Sequence, residues 1–391
     1  MHILYIDPEP PGKFGGGIRT YIATVAALCK AEGHIPVIFT HTPEAYSDFT
    51  TTTIKRKPVP WPGIRYMLYR FFYPQNILLE HAHWIAKALQ EYIVNHSKDE
   101  ILVEFCDFHG YAFFSLKNSA IRKRSIIRIH TPAYLTNPQL KVGIPFLQNM
   151  FMWVIEKHCL KKAQRISAPS ADFVSEKLKW VTDYSYIPNP LPFFFHGDSA
   201  PGPECADKNF LYCGRIEYRK GVHILLDAFT RLIKIDGEAT LTLAGKWDEG
   251  VYGKELLKKI NTLPAHFKKN INIQGEVSKS KLQELFKSHS CCIIPSMWEN
   301  SPYGFFEAFC AGLICIGAKT GEMGAILPKI DGLYFEAGNT GALFDAMLQY
   351  IKQPGLFSEV TKRQLLFLKN HKESSVQSIL GYYYGIIKEI R

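Results

Sequence analysis

The sequence predicts an α/β protein made of two successive, mostly parallel open sheets with a cleft between them. Three observations carry that expectation. Short apolar runs alternate with helix-length amphipathic segments almost throughout the chain. The same rhythm restarts at Asn209, after the densest proline and glycine punctuation in the sequence. And 391 residues exceed what one ordinary core holds.

The elements follow in order. Residues 2–6 (HILYI) read as a strand that leads through a glycine-rich loop to a helix over 18–31. Gly33 stops that helix and residues 36–40 supply the next strand, a βαβ opening. Further strands are expected at 101–105, 125–130 and 165–168. Pro188, Pro190, Pro192, Gly197, Pro201, Gly202 and Pro203 then mark a linker. Beyond it come a strand at 209–213, a basic loop, a helix at 221–235 and strands at 239–244 and 271–274. A helix at 278–288, a strand at 291–295, a helix ending at Ala311 and a strand at 313–317 complete the series. The domains are accordingly set at 1–190 and 209–370, joined by a linker at 191–208. A C-terminal helix at about 371–391 is expected to pack back on the first domain.

Composition narrows the function classes. Hydrophobic residues make up 47% and charged residues 21%, which is globular. The 9 cysteines are scattered and form no CxxC pair, which points to a reducing cytosol and disfavours zinc, so no metal is expected. The start of the chain lacks a basic region and a long apolar stretch, unlike a signal peptide, and no run of about 18 apolar residues suggests a spanning helix. The net charge of +10 is spread over both halves and suits nucleic acid, a membrane surface, phosphorylated ligands or plain solubility.

The segment 296–312 (SMWENSPYGFFEAFCAG) is the most informative. Ser301 reads as an N-cap, Pro302 as the first helical residue and Gly312 as the residue that closes the helix. The first-turn amides of Tyr303, Gly304 and Phe305 then lack intrahelical partners, and such a helix start attracts phosphate. Glu299 precedes this anion site and Glu307 follows it, a placement suited to accepting hydrogen bonds from hydroxyl groups on either side of a diphosphate. The competing reading is that both glutamates merely serve a surface helix dipole.

A second loop, Gly214-Arg215-Ile216-Glu217-Tyr218-Arg219-Lys220-Gly221, lies between a strand and a helix. There Arg215 can bind a phosphate bidentately and Lys220 can add a point charge, unless the loop is simply a solvated basic surface. Gly16 and Gly17, preceded by Gly15, let a ligand approach the first helix, or form a structural tight turn; they do not make GxGxxG. His130 ends a strand, and Asp107 with His109 ends the one before it; these are candidates for acceptor binding or a general base, or ordinary core groups. Trp61 to Tyr73 interleaves aromatics with arginines, as either a membrane-facing surface or a core helix with snorkelling arginines.

Glu299 and Glu307 at this spacing, followed by Glu-Ala-x-x-x-Gly, resemble the E-x7-E element of family four of the glycosyltransferases, the glycosyl transferases group 1. Gly214 to Gly221 is similar to that family's G-R-[LI]-x-x-x-K-G, and the motifs fall in order over about residues 1–367. The resemblance implies a GT-B fold, two Rossmann-like domains with a cleft between them. It implies that Glu307 holds the nucleotide ribose and Glu299 the donor sugar, while Arg215 and Lys220 neutralise the diphosphate. The amides of Tyr303, Gly304 and Phe305 bind sugar and phosphate, Gly275 and Val277 flank the nucleobase turn, Gly16 and Gly17 face the diphosphate, and His130 contacts the donor sugar. Proline stands three residues after Glu299, where many members have it one residue after. In the later glycine turn, Gly321 to Gly324, the family's glutamate is replaced by Ala325 and Ile326.

The function so implied is retaining transfer of a hexose-type sugar from a nucleoside-diphosphate donor, UDP- or GDP-linked, to an acceptor hydroxyl, without metal or cofactor. With no carboxylate pair set as nucleophile and acid, front-face transfer is expected, with His130, Arg215, Lys220 and Glu299 the catalytic group. The setting expected is assembly of a bacterial surface polysaccharide or lipopolysaccharide. The acceptor is a glycan or lipid-linked glycan and the location cytoplasmic, at the inner face of an anionic membrane. Nucleic acid is not expected, because no binding module for it is recognisable. The alternatives are a nucleotide-sugar epimerase of the same fold and a non-catalytic basic binding protein.

Overall fold

The computed structural model describes residues 1–8, 16–54, 76–136, 144–192, 208–353 and 356–391. The chain divides into two compact units. One comprises Met1–Pro169, Lys177–Pro190 and Ser375–Arg391, the other Ser170–Glu176 and Leu191–Ser374. Most of the 191–208 linker, the Trp61 to Tyr73 stretch and Gly15 lie outside the described residues.

In the first unit seven strands form a parallel sheet: β1 (His2–Ile6), β2 (Ile35–Thr40), β3 (Thr50–Thr53), β4 (Ile101–Cys106), β5 (Ser125–Arg128), β6 (Ile166–Ala168) and β7 (Ser185–Tyr186). Their order is β3-β2-β1-β4-β5-β6-β7. β4 is buried along its whole length and β1 nearly so, as expected of strands covered on both faces. Helix α1 (Gly17–Ala31) lays Tyr21, Ile22, Val25, Ala26 and Cys29 on the sheet. The buried Glu104 of β4 accepts from the Tyr21 and Tyr383 hydroxyls at 2.8 and 2.7 Å, so this central carboxyl group is hydrogen-bonded at both oxygens.

Strand order reverses between β1 and β4, and ligands bind at such switch points beyond the carboxyl ends of the strands. The strand expected at 125–130 is shorter: β5 ends at Arg128, and only Ile129 adds one more bond, to the Ser167 carbonyl at 2.8 Å. Asp107 draws the amides of His130 and Thr131 away from the ladder.

The second unit holds β8 (Asn209–Cys213), β9 (Thr240–Ala244), β10 (Ile271–Gly275), β11 (Cys291–Ile294), β12 (Ile314–Ala318) and β13 (Leu333–Phe335), all parallel, in the order β10-β9-β8-β11-β12-β13. The reversal here lies between β8 and β11. The loops after these two strands carry Arg215 to Lys220 and Ser296 to Ser301, so chain topology brings the two principal motifs to one edge.

Candidate functional site

The loop after β8 is fixed first by backbone geometry. A 3-10 turn at Tyr218–Lys220 ends in Gly221, whose φ is 69°. A Cβ there would lie 1.9 Å from the Pro295 carbonyl oxygen, so only glycine lets this loop meet the one after β11. The Met297 amide donates to the Arg219 carbonyl at 2.8 Å and locks the two loops together. Gly321, with φ 56°, performs the same service for the loop after β12, because a Cβ would sit 2.4 Å from the Glu299 carbonyl oxygen.

Glu299 is held on all sides. Its Oε1 accepts from Lys220 Nζ at 2.5 Å and from Ser296 Oγ at 2.7 Å, its Oε2 accepts from Arg219 Nη1 at 3.1 Å, and its amide donates to Thr320 Oγ1 at 2.8 Å. Burial by itself pushes this carboxyl up, but Lys220 and Arg219 outweigh it and hold it at about 2. Burial pulls the Lys220 ammonium below its ordinary value, and Glu299 opposes that shift. Arg219 also bonds Glu217 at 2.9 Å and lies over the Trp298 ring at 4.7 Å. Arg215, by contrast, is exposed, and its guanidinium pairs with Glu217 at 3.3 Å. A carboxylate offers about four lone-pair sites. The three donors above leave Glu299 roughly one, on the Oε2 side.

Helix α11 (Tyr303–Cys310) begins one residue later than its sequence suggests. Pro302 is extended, with ψ 112°, and acts as the flanking residue, not the first helical one. Its carbonyl accepts the Phe305 amide at 3.0 Å, so that amide is not open to a ligand, contrary to the expectation for Phe305. The Tyr303 and Phe305 side chains are core, while Gly304 is half-buried. Gly312 adopts φ 86° just past the helix.

Glu307 is half-buried, and no hydrogen-bond partner for its carboxylate is found among the described residues. Burial pushes it up to about 7 against the opposing charge of Lys279, on helix α10 (Lys279–Ser288). Gly275 accepts the Gly245 amide at 2.7 Å, tying the ends of β9 and β10, and Val277 is half-buried against the core.

In the first unit, Gly16 caps α1 with an ordinary extended backbone, and both it and Gly17 are exposed. Asp107 Oδ1 accepts the amides of His130 and Thr131 at 3.0 and 3.2 Å. Burial pushes this carboxyl up to about 7, against those amides, while its Oδ2 is buried without a partner among the described residues. His130 packs edge-on against Tyr21, 4.7 Å between centroids, and burial pulls its imidazole well down, helped by Arg128.

His109 stands at φ 64°, a left-handed backbone uncommon for a side chain of this kind. Its amide donates at 2.7 Å to Glu156, a buried residue of helix α5 (Ile144–Lys162) that also accepts the Ala133 and Tyr134 amides. Burial lowers the His109 imidazole to about 4, so at neutral pH it is an uncharged acceptor or donor.

The stretch that carries the second-unit groups has recognisable relatives. Residues 207–353 match the model of glycosyl transferases group 1, the stretch that contains Arg215, Lys220, Glu299 and Glu307. That stretch of the chain is similar to glycosyl transferases group 1. An uncharacterized glycosyltransferase of Methanocaldococcus jannaschii is 26% identical over 145 residues, 36% of this chain and 35% of that protein. A glycogen synthase of Mycobacterium tuberculosis is 29% identical over 128 residues, 32% of this chain and 29% of that protein. The matched stretch therefore spans about a third of the length of these curated relatives.

Among solved structures, sucrose-phosphate synthase from Thermosynechococcus elongatus superposes with a TM-score of 0.72 at 17% identity, covering 99% of each chain. The catalytic domain of starch synthase IV from Arabidopsis thaliana gives 0.68 at 13% identity, again covering 99% of each. These likenesses identify the fold as GT-B.

Within the group 1 domain, the sequence reading singled out Lys220 and Glu299, which the structure joins directly. It passed over Arg219, which is buried where Arg215 is exposed, and over Thr320 and Lys279. The available signal for Arg219 was Trp298, an aromatic next to a motif glutamate that offers an arginine its face.

Proposed function

We propose that this group 1 protein is a retaining glycosyltransferase that moves a hexose-type sugar from a nucleoside-diphosphate donor to an acceptor hydroxyl. The observation that carries the reading is the Lys220–Glu299 pair at the carboxyl edge of the second sheet, with the open carboxylate of Glu307 on the neighbouring helix. Glu299 takes one of the three Lys220 protons and leaves two for a phosphate. The exposed Arg215 supplies a planar fork to the same group. Similar structures solved with UDP, with UDP-glucose and with ADP support a nucleoside-diphosphate ligand.

In the step proposed, the bond from C1 to the diphosphate oxygen breaks as the acceptor oxygen bonds C1 on the same face. The acceptor proton passes to the departing β-phosphate. Lys220 and Arg215 stabilise the charge developing on that phosphate, so these cations take the role a metal ion would otherwise fill. The Glu299 oxygen with one free lone pair accepts from a donor-sugar hydroxyl, and Glu307 accepts from the ribose. His130 contacts the donor sugar, and Asp107 and His109 serve the acceptor side.

The acceptor we infer is a glycan or lipid-linked glycan of a bacterial surface polymer, built at the cytoplasmic face of an anionic membrane. One exposed face of α5 supports the membrane contact. Phe146, Met150, Trp153 and Val154, between 37% and 49% exposed, recur at helical spacing, and the same stripe continues into Lys157 and Lys161. Lys157 lies 4.4 Å over Trp153. Apolar aromatics followed by lysines match the boundary between acyl chains and anionic headgroups. No helix among the described residues is long and apolar enough to cross a membrane.

The test of the donor reading is a panel of nucleoside-diphosphate sugars scored for thermal stabilisation and for acceptor-independent release of sugar. Stabilisation by one diphosphate series is expected, and its loss in Glu307→Ala. A chain that none of the panel stabilises sinks the proposal.

A further inference from the structure

At the amino edge of the first sheet, opposite the edge that carries Asp107 and His130, three ligating side chains converge. His2 opens β1, His96 follows helix α2 (Asn76–Asn95) and Asp99 lies in the turn before β4. One ligating atom from each falls within 4.8 Å of the others, and His2 Nε2 is 3.9 Å from Asp99 Oδ2.

The backbones that present them are tied together. The His2 amide donates to the Glu100 carbonyl at 2.7 Å, and the Asp99 amide to the His96 carbonyl at 3.0 Å.

Tyr92 orients both imidazoles. His96 Nδ1 is 3.0 Å from the Tyr92 carbonyl oxygen. A carbonyl only accepts, so Nδ1 carries the proton and Nε2 of the neutral ring holds a lone pair. The Tyr92 ring stacks on His96, with centroids 4.1 Å apart and planes at 15°, and its hydroxyl is 2.9 Å from His2 Nδ1. A second partner that fixes tautomer and ring plane is what metal-ligating histidines have. Desolvation also pulls the His2 imidazole below its ordinary value despite Asp99, which favours the neutral ligand.

We propose that His2, His96 and Asp99 bind one divalent transition-metal ion of the zinc type, through both Nε2 atoms and the carboxylate. Water completes the shell. Metal–nitrogen bonds of about 2.0–2.1 Å put tetrahedral ligands roughly 3.4 Å apart, so the three groups need to close by about 1 Å. Two imidazoles select zinc-like ions over magnesium or calcium, which prefer oxygen. The site clamps the first strand to the α2–β4 turn, so its effect is on the stability of the first unit, not on chemistry at the far edge of its sheet.

The experiment uses the full chain, without a histidine tag and stripped by chelator, titrated calorimetrically with ZnCl2 and followed by thermal melting. The expected result is one equivalent bound and a higher melting temperature that excess MgCl2 does not reproduce. His96→Gln and Asp99→Asn, both on exposed turns, should each weaken that equivalent at least tenfold. Tyr92→Phe, which keeps the His96 bond and removes the His2 partner, should weaken it less. Unchanged stoichiometry and affinity in His96→Gln or Asp99→Asn, or no binding below millimolar zinc, overturns the proposal.

Discussion

Replacing Lys220 by methionine keeps most of the unbranched apolar stem and removes the terminal ammonium with its charge and donors, and two separable losses follow from the structure. The first is in stability. Glu299 is 6% exposed and its carboxyl is held at about 2 by Lys220 and Arg219, from an ordinary 4.5. At 1.36 kcal/mol per pKa unit that difference is worth roughly 3 kcal/mol. Breaking a buried pair by removing one partner typically costs about 3–5 kcal/mol. Arg219 and Ser296 remain on Glu299, so a loss of about 2 kcal/mol is expected for Lys220→Met. A depressed carboxyl stabilises the fold above its unfolded pKa and loses that contribution as pH falls through the folded value. The wild-type window is therefore from about 4.5 down to about 2, and in the variant its lower limit rises.

The second loss is in turnover. Removing one donor aimed at the developing phosphate charge costs about 10²–10³-fold in kcat. Glu299→Gln added to Lys220→Met separates the two, because the neutral amide no longer needs a cation. The double variant should recover part of the melting temperature, since Arg219 loses one carboxylate but keeps Glu217, and none of the rate. Chemical denaturation at pH 7 and 4, with donor-hydrolysis kinetics on wild type and both variants, measures both. If Lys220→Met turns over within a few-fold of wild type while folded, the phosphate role of Lys220 is wrong.

The other tests are simpler. Burial lifts Glu307 to about 7, so its contribution to stability is present below the unfolded value near 4.5 and lost as pH rises through about 7. Nucleotide titrations of wild type and Glu307→Gln at pH 5.5 and 8.5 should show at least tenfold weaker binding in the variant at pH 8.5, and equal affinities there would remove Glu307 from the ribose. Gly221→Ala should cost more than about 2 kcal/mol in denaturant melts, because a left-handed backbone and a Cβ 1.9 Å from the Pro295 oxygen coincide. Combining Trp153→Ala with Lys157→Glu should cut co-sedimentation with phosphatidylglycerol vesicles severalfold and leave donor hydrolysis intact; retained sedimentation would release α5 from the membrane surface.

What the sequence made legible was whatever repeats along the chain. Alternation of apolar runs gave the inner strands of both sheets to within about two residues, since parallel strands buried on both faces leave continuous apolar stretches such as CCII and ILVEFC; the short edge strands β3, β7 and β13 carry no such run and were not foreseen. Motif spacing picked out Lys220 and Glu299, because loops after adjacent strands at a switch point must meet.

What stayed hidden was set by contacts between distant segments. Arg215 and Arg219 are indistinguishable by residue type, four positions apart in one loop. Only the turn closed by Gly221 decides that Arg219 points inward to Glu299, Glu217 and the Trp298 face, while Arg215 remains exposed. The Phe305 amide was misjudged for a related reason: a shift of one residue in the helix start hands that donor to the Pro302 carbonyl. In this chain a buried arginine thus holds the motif glutamate in place. The other, Arg215, stays exposed beside Glu217, where the proposed function assigns it the phosphate, a division of labour that a pattern of residue types cannot express.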